Sequence, residues 1–208
     1  MPLFKSILID SQTVVKIWHI TESYDWLSDG VKLEQPSIDR LKGMKSEVHQ
    51  RGFLSVRHLL LDAGYTDADL YYNTFGKPHL NDGKHISITH SFEYSAVIIS
   101  DKFVGIDLEQ RREKIKRIAH KFCDYELQYA GSNQPDAVHA LTKIWCVKEA
   151  AYKWMAKPGL SFKDHVLVVP FSSKDDTTTA WIIIETEKHR LTAHLLGLEG
   201  YDCAFIYS

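Results

Sequence analysis

Hydrophobic and polar positions alternate over residues 104–109, with Val104, Ile106 and Leu108 on one side and Gly105, Asp107 and Glu109 on the other. A period of two predicts a half-buried strand. Residues i and i+2 on one strand face stand roughly 6.5–7 Å apart, so both carboxylates can reach toward one ion. Further on, residues 145–154 lack proline and are rich in Ala, Lys, Glu and Trp, which predicts a helix. Trp145, Glu149 and Lys153 recur there at i, i+4 and i+8 and line one side.

The same patterns organise the rest of the chain. Residues 14–20 are β-branched and aromatic and read as a strand. Polar residues 22–46, punctuated by Gly30, Pro36 and Gly43, predict short helices and loops. Residues 45–63 carry a helical apolar face of Val48, Phe53, Leu54, Val56, Leu59, Leu60 and Leu61, stopped by Gly64. Phe75-Gly76-Lys77-Pro78 breaks regularity and Asn81-Asp82-Gly83 is a turn. Residues 86–91, 95–100 and 103–109 have strand character, the last two joined by a short hairpin loop at Asp101 and Lys102. Residues 110–129 read as a helix with a basic start, 131–135 as a loop, and 136 to about 157 as a helix capped by Asp136. Residues 166–171, 180–186, 190–196 and 203–207 read as strands.

Two long helices, each accompanied by antiparallel strands, predict an α+β fold of two similar halves, residues 1–102 and 103–208. No residue-level repeat accompanies that division.

Composition narrows the class. At 208 residues, with 44% hydrophobic and 12% aromatic content, the chain can bury a real core. A formal net charge of −2 gives no bulk attraction to nucleic acid or an anionic membrane. Cys123, Cys146 and Cys203 lack metal-type spacing and suit buried positions in a reducing compartment. The first residues carry no signal-peptide pattern, and no apolar run approaches the ~20 residues that span a bilayer. The expectation is a cytoplasmic protein.

Taken singly, the charged residues are weak signals. Asp107 and Glu109 suit the wet face of any amphipathic strand, and Glu149 with Lys153 is an ordinary i, i+4 pair. Together they describe a site of oxygen ligands, which favours Mg²⁺ or Mn²⁺ over zinc. Lys148 and Lys153 would then neutralise phosphate charge, an arrangement suited to phosphoryl transfer. His90, among the hydroxyls of residues 86–91, is either a hydrogen-bonded structural histidine or a phosphate contact. Lys77 and Pro78 form a turn or line a nucleotide. Lys45, Arg51 and Arg57 are the solvated side of a helix or the catch for an extra phosphate.

The segments FGKP (75–78), ISITHS (86–91), VGIDLE (104–109), WCVKEAAYKW (145–154) and GLS (159–161), in that order, resemble the 4′-phosphopantetheinyl transferase superfamily. The length and two halves are similar to its surfactin-synthetase-activating type, a monomer built as a pseudo-dimer. The resemblance implies Mg²⁺-dependent transfer of the 4′-phosphopantetheine arm of coenzyme A to a serine of an apo carrier protein, releasing adenosine 3′,5′-bisphosphate. By it, Asp107, Glu149 and Glu109 bind the metal, and Glu149 (or Glu109, through a water) deprotonates the serine. Lys153 steadies the pyrophosphate, and Thr89 and His90 grip a phosphate. Lys77 and Pro78 lie against the adenine and ribose, while Arg51, Lys45 or Arg57 meets the 3′-phosphate. The first, coenzyme A-binding half would be residues 1–102 and the metal-binding half 103–208. Thr89 and Cys146 stand where the family often has serine.

Carrier proteins are typically acidic around the modified serine, so the basic run containing Arg111, Arg112 and Lys116 is either a solvated helix face or a docking surface. Two other readings keep the motifs: a non-catalytic module that binds coenzyme A or a carrier protein, and a different Mg²⁺-dependent enzyme acting on pyrophosphate bonds.

Overall fold

The computed structural model describes residues 3–131 and 136–208; positions 132–135 of the expected loop lie outside them. The chain divides into two compact units, residues 1–103 and 104–208.

In the first unit, β1 (Leu3–Asp10) and β2 (Thr13–His19) precede helices α1 (Tyr24–Asp29), α2 (Gln35–Gly43) and α3 (Glu47–Asp62). Strands β3 (Leu70–Tyr72), β4 (Pro78–Leu80), β5 (His85–Ser91) and β6 (Tyr94–Ser100) complete an antiparallel sheet of order β1-β2-β6-β5-β4-β3. The apolar face of α3 packs Phe53, Leu54, Val56, Leu59 and Leu60 against Trp18, Ile86, Val97 and Ile99. Full burial of each such leucine stabilises by about 1.5–3 kcal/mol. The helix ends as Gly64 predicts. Gly64 adopts φ +86°, its N–H donates to the Leu61 carbonyl (3.0 Å), and Tyr65 N–H reaches back to Leu60 (2.9 Å).

The same helix withdraws one candidate. Arg57 is buried, donates from Nε to Asp67 Oδ1 at 3.0 Å, and stacks 3.5 Å from the centre of the Phe53 ring. Asp67 also accepts from Glu34 N–H (2.8 Å) and Ser37 Oγ (2.9 Å). Arg57 ties helices together and does not meet a 3′-phosphate.

The second unit begins with β7 (Val104–Gln110), followed by short helices α4 (Lys114–Ile118) and α5 (Leu127–Ala130). Helix α6 (Ala137–Met155) and α7 (Phe162–His165) lead to β8 (Val166–Val168), β9 (Thr177–Ile184), β10 (Glu187–Leu198) and β11 (Tyr201–Tyr207). The antiparallel sheet order is β7-β11-β10-β9-β8. Helix α6 lays Leu141, Ile144, Val147, Ala150 and Ala151 into a core with Val166, Val168, Ile182, Leu195, Ala204 and Ile206. The three cysteines are free and buried.

Each unit is thus one long helix on an antiparallel sheet, an α+β arrangement. Elsewhere the local expectations need correction. Strands β1, β3 and β4 join the sheet although their patterns are weak. Asp101 and Lys102 do not close a hairpin, because β6 pairs with β2 and β5 whereas β7 pairs with β11. Residues 110–129 are not one helix: Gln110 is paired with Tyr201, and the chain then turns repeatedly to bring Glu126 inside. Asp136 occupies the N-cap position of α6 without a capping side-chain bond. Among the described residues, no helix is long and apolar enough to cross a membrane.

Candidate active site

Strand β7 and helix α6 approach each other more closely than side chains would allow. A methyl group added at Gly105 would lie 1.9 Å from the Ala150 carbonyl oxygen and 2.8 Å from Trp154 N. Both obstacles are backbone, so only glycine lets the strand lie against the helix there. Gly105→Ala is expected to cost about 1–3 kcal/mol by overpacking. Urea unfolding would measure it, and an unchanged midpoint would contradict the contact.

Two residues on, the strand delivers Asp107 to the same interface. Asp107 is only 5% exposed, which removes the reading of a solvated acidic face. Lys153, from the last turns of α6, donates to Asp107 Oδ1 at 2.8 Å and to the Ile106 carbonyl at 2.9 Å. Burial disfavours the Lys153 ammonium, yet Asp107 and, less strongly, Glu149 outweigh that and raise its pKa. Glu149, half-buried one turn earlier on α6, is pushed from 4.5 up to about 7. Burial is the main cause, and the charges of Asp107 and Glu109 add to it against the opposing pull of Lys153. Glu109 is half-buried near the end of the strand.

Strand and helix therefore hold Asp107, Glu109 and Glu149 in one electrostatic neighbourhood, with Lys153 paired to Asp107 inside it. Among the described residues, no three or more His, Cys, Asp or Glu side chains converge as a metal-binding group. The donor set nonetheless fits Mg²⁺. That ion takes oxygen ligands and is usually held by one or two carboxylates, with water and substrate phosphates supplying the rest. A carboxyl kept protonated to about neutral pH chiefly by burial, with Asp107 and Glu109 adding to it, is also a place where added positive charge is favourable.

Lys148, adjacent to Glu149 in sequence, is elsewhere. Its side chain is 0% exposed, and Nζ pairs with Glu126 Oε1 at 2.8 Å while donating to the carbonyls of Phe162 (2.9 Å) and Val166 (2.6 Å). A buried ammonium with these partners cannot also neutralise substrate phosphate, so Lys148 leaves the phosphate-binding set. Arg111 leaves the docking set for a similar reason. Its guanidinium is forked onto Asp202, from Nε to Oδ2 at 2.9 Å and from Nη2 to Oδ1 at 3.1 Å. Glu126 and Asp202 were not singled out by sequence, since neither lies on a periodic face beside the motifs.

In the first unit, α3 and β5 bring Arg51 and His90 into one region. A Cβ at Gly52 would meet His90 Nδ1 at 3.0 Å, so the exposed imidazole rests on a bare stretch of helix. Arg51 donates from Nη2 to the Ile20 carbonyl at 3.1 Å, while its buried Nε has no hydrogen-bond partner among the described residues. Thr89 is buried, and Lys45 is exposed ahead of α3. Asn73 Oδ1 accepts the N–H groups of Phe75 (2.9 Å) and Lys77 (3.0 Å), and Gly76 adopts φ +77°. This turn presents Lys77 half-buried, with its pKa lowered by burial, and Pro78 opens β4.

Comparison with known proteins places these elements. Residues 103–206, half of the chain, match the 4′-phosphopantetheinyl transferase superfamily. A 4′-phosphopantetheinyl transferase of Aneurinibacillus migulanus is 30% identical over 140 residues, covering 64% of this chain and 55% of that protein. The chain thus spans about half the length of the curated relative it matches. The matched region contains β7, α6 and all the carboxylates of the candidate site, and on that evidence the chain belongs to the 4′-phosphopantetheinyl transferase superfamily.

Proposed function

We propose that this protein transfers the 4′-phosphopantetheine arm of coenzyme A to a serine hydroxyl of an apo carrier protein, with Mg²⁺ as cofactor and adenosine 3′,5′-bisphosphate as the second product. The observation that carries this reading is the meeting of Asp107, Glu149 and Lys153 at the β7–α6 contact, inside the family-matched region.

Asp107 and Glu149 would hold the metal, with Glu109 as a third ligand or acting through water. When bound, the ion offsets the charge that builds on the pyrophosphate as the bond to the leaving phosphate breaks. Lys153 steadies the pyrophosphate from the same side. The serine hydroxyl is a poor nucleophile at neutral pH and needs a base within hydrogen-bond reach. Glu149, or Glu109 through a water, accepts its proton. In the first unit His90 and Thr89 hold a phosphate, Lys77 and Pro78 flank the adenine and ribose, and Arg51 or Lys45 meets the 3′-phosphate. The orphaned Nε of Arg51 supports its choice over Arg57, whose side chain is fully engaged.

The direct test is the intact mass of an apo carrier protein after incubation with this protein, coenzyme A and Mg²⁺. A gain of one phosphopantetheine group, absent without Mg²⁺, is the expected result. Release of adenosine bisphosphate without any carrier would identify a hydrolase instead. Coenzyme A binding without either product would identify a binding module.

Arg112 and Lys116, the latter paired with the exposed Glu113 at 2.7 Å, would be the docking cations for an acidic carrier. Reversing both charges is expected to raise KM for the carrier severalfold and leave KM for coenzyme A unchanged, because rim charges act mainly on encounter. Steady-state kinetics at two salt concentrations would decide this. An unaltered carrier KM removes these residues from the docking surface.

A further inference from the structure

Across the sheet from Glu109 stands a carboxylate that the proposed reaction does not use. Asp202 on β11 is directly opposite Glu109 on β7 and is 0% exposed. Directly opposed residues of antiparallel strands project to the same face, with Cβ atoms about 4.5–5.5 Å apart, and like charges so placed destabilise the pair. A buried, unpaired carboxylate would be costlier still.

Two side chains resolve this conflict, one following β7 and one from α6. Arg111 grips both Asp202 oxygens (2.9 and 3.1 Å) and also reaches the Tyr201 carbonyl at 2.8 Å. Its own N–H donates to Gly200 O at 2.9 Å, which fastens the end of β7 to the β10–β11 turn. His139, in the first turn of α6, places Nε2 2.9 Å from Asp202 Oδ1. An ionised carboxylate only accepts, so Nε2 is the protonated nitrogen. The Cys146 thiol, two turns along α6, donates to the Asp202 main-chain carbonyl at 3.4 Å. One residue therefore meets α6 twice and the end of β7 once. Glu109 lies two positions before the Arg111 attachment, and Glu149 lies one turn beyond the Cys146 attachment.

We propose that Asp202, clamped by Arg111 and His139, is a positioning residue that fixes Glu109 on β7 relative to Glu149 on α6, pre-setting these carboxylates for a divalent cation. This inference rests on the metal reading given under the proposed function. Arg111 follows Glu109 by two positions, so whatever shifts the Arg111–Asp202 fork shifts Glu109 with it. A fork of two parallel N–H···O bonds fixes direction as well as distance, which a single lysine contact does not.

The test measures binding of Mn²⁺ alone to the intact protein by the loss of its free-ion paramagnetic resonance signal, with and without coenzyme A. Asp202→Asn and Arg111→Lys are expected to weaken Mn²⁺ binding by about tenfold, the usual scale for residues that orient ligands. His139→Gln, which keeps a donor to Asp202, is expected to stay within about threefold of the wild type. Turnover should recover at saturating metal, with KM for coenzyme A unchanged. A purely structural role would lower the unfolding midpoint without altering the Mn²⁺ affinity of the folded protein. Equal affinity in folded Arg111→Lys and wild type overturns the inference, and this variant carries the test if Asp202→Asn does not fold. The metal reading itself falls, and this inference with it, if Glu149→Ala binds Mn²⁺ as the wild type does.

Discussion

Glu149→Gln is expected to lower phosphopantetheine transfer by roughly 10²–10⁴-fold, the range for loss of a positioned acid–base group. The same change is expected to make the metal-free protein less sensitive to pH. In the native protein the Glu149 carboxyl is held up at about 7, against 4.5 ordinarily, chiefly by burial and then by Asp107. Between those values the native state keeps a proton that the unfolded chain has released. Native stability from this group is therefore complete below pH 4.5 and is lost as pH rises through 7. Gln carries no such proton. Denaturant midpoints of metal-free protein at pH 5 and pH 8 should fall with pH in the wild type and fall less in the variant. A variant that is inactive, yet gains relative stability at pH 8, has lost chemistry and not fold. Equal pH dependence in both proteins would mean that Glu149 is not the crowded carboxyl.

Lys148→Met is expected to act the opposite way, removing stability and sparing the site. It leaves Glu126 as a buried charge without its 2.8 Å ammonium partner, a change that costs about 3–5 kcal/mol. Glu126 would keep its bonds from Val168 N–H (2.9 Å) and Asp124 N–H (3.3 Å), which do not neutralise it. Adding Glu126→Gln to the variant should recover part of the loss, so the two changes are non-additive. Equilibrium unfolding of the four proteins gives that coupling. KM for coenzyme A in the folded single variant should match the wild type. A raised KM with unchanged stability would return Lys148 to the phosphate-binding set.

These lysines also mark how far the sequence could be read. Trp145, Glu149 and Lys153 fall on one side of a helix by spacing alone, and the helix formed as its composition predicts. Spacing cannot say which sides are covered by sheet and which by short helices. Lys148 lies about 100° around the axis from Glu149, close enough to be grouped with it. Only the inward course of residues 110–129 decides that it pairs with Glu126. That course was illegible because residues 110–129 form only short helical turns separated by bends, and no local pattern marks where the chain turns inward. The strand at 104–110 was legible from strict alternation, but its polar face is not wet: Gly105 marks where a helix backbone lies against it. Strand β1 was missed because half of its residues are exposed and none is fully buried, and β3 and β4 because each has only three residues. Arg57 looked like a surface cation until its partner, Asp67, arrived from beyond the end of the helix.

The Lys153–Asp107 pair has a consequence for how the site would fill. Asp107 holds an ammonium tethered to its own chain, so under the proposed metal reading a divalent ion would have to compete with a resident cation. A tethered competitor has an effective concentration fixed by the fold, not by the surrounding salt. Occupancy by the dication would thereby be governed by its own concentration and only weakly by bulk sodium or potassium. The ejected ammonium cannot diffuse away, because its helix still rests on β7. It stays within a side chain's length of the strand, ready for the next anion to enter. In a pyrophosphate-binding protein, the exchange that admits the metal would also free the lysine for the phosphate.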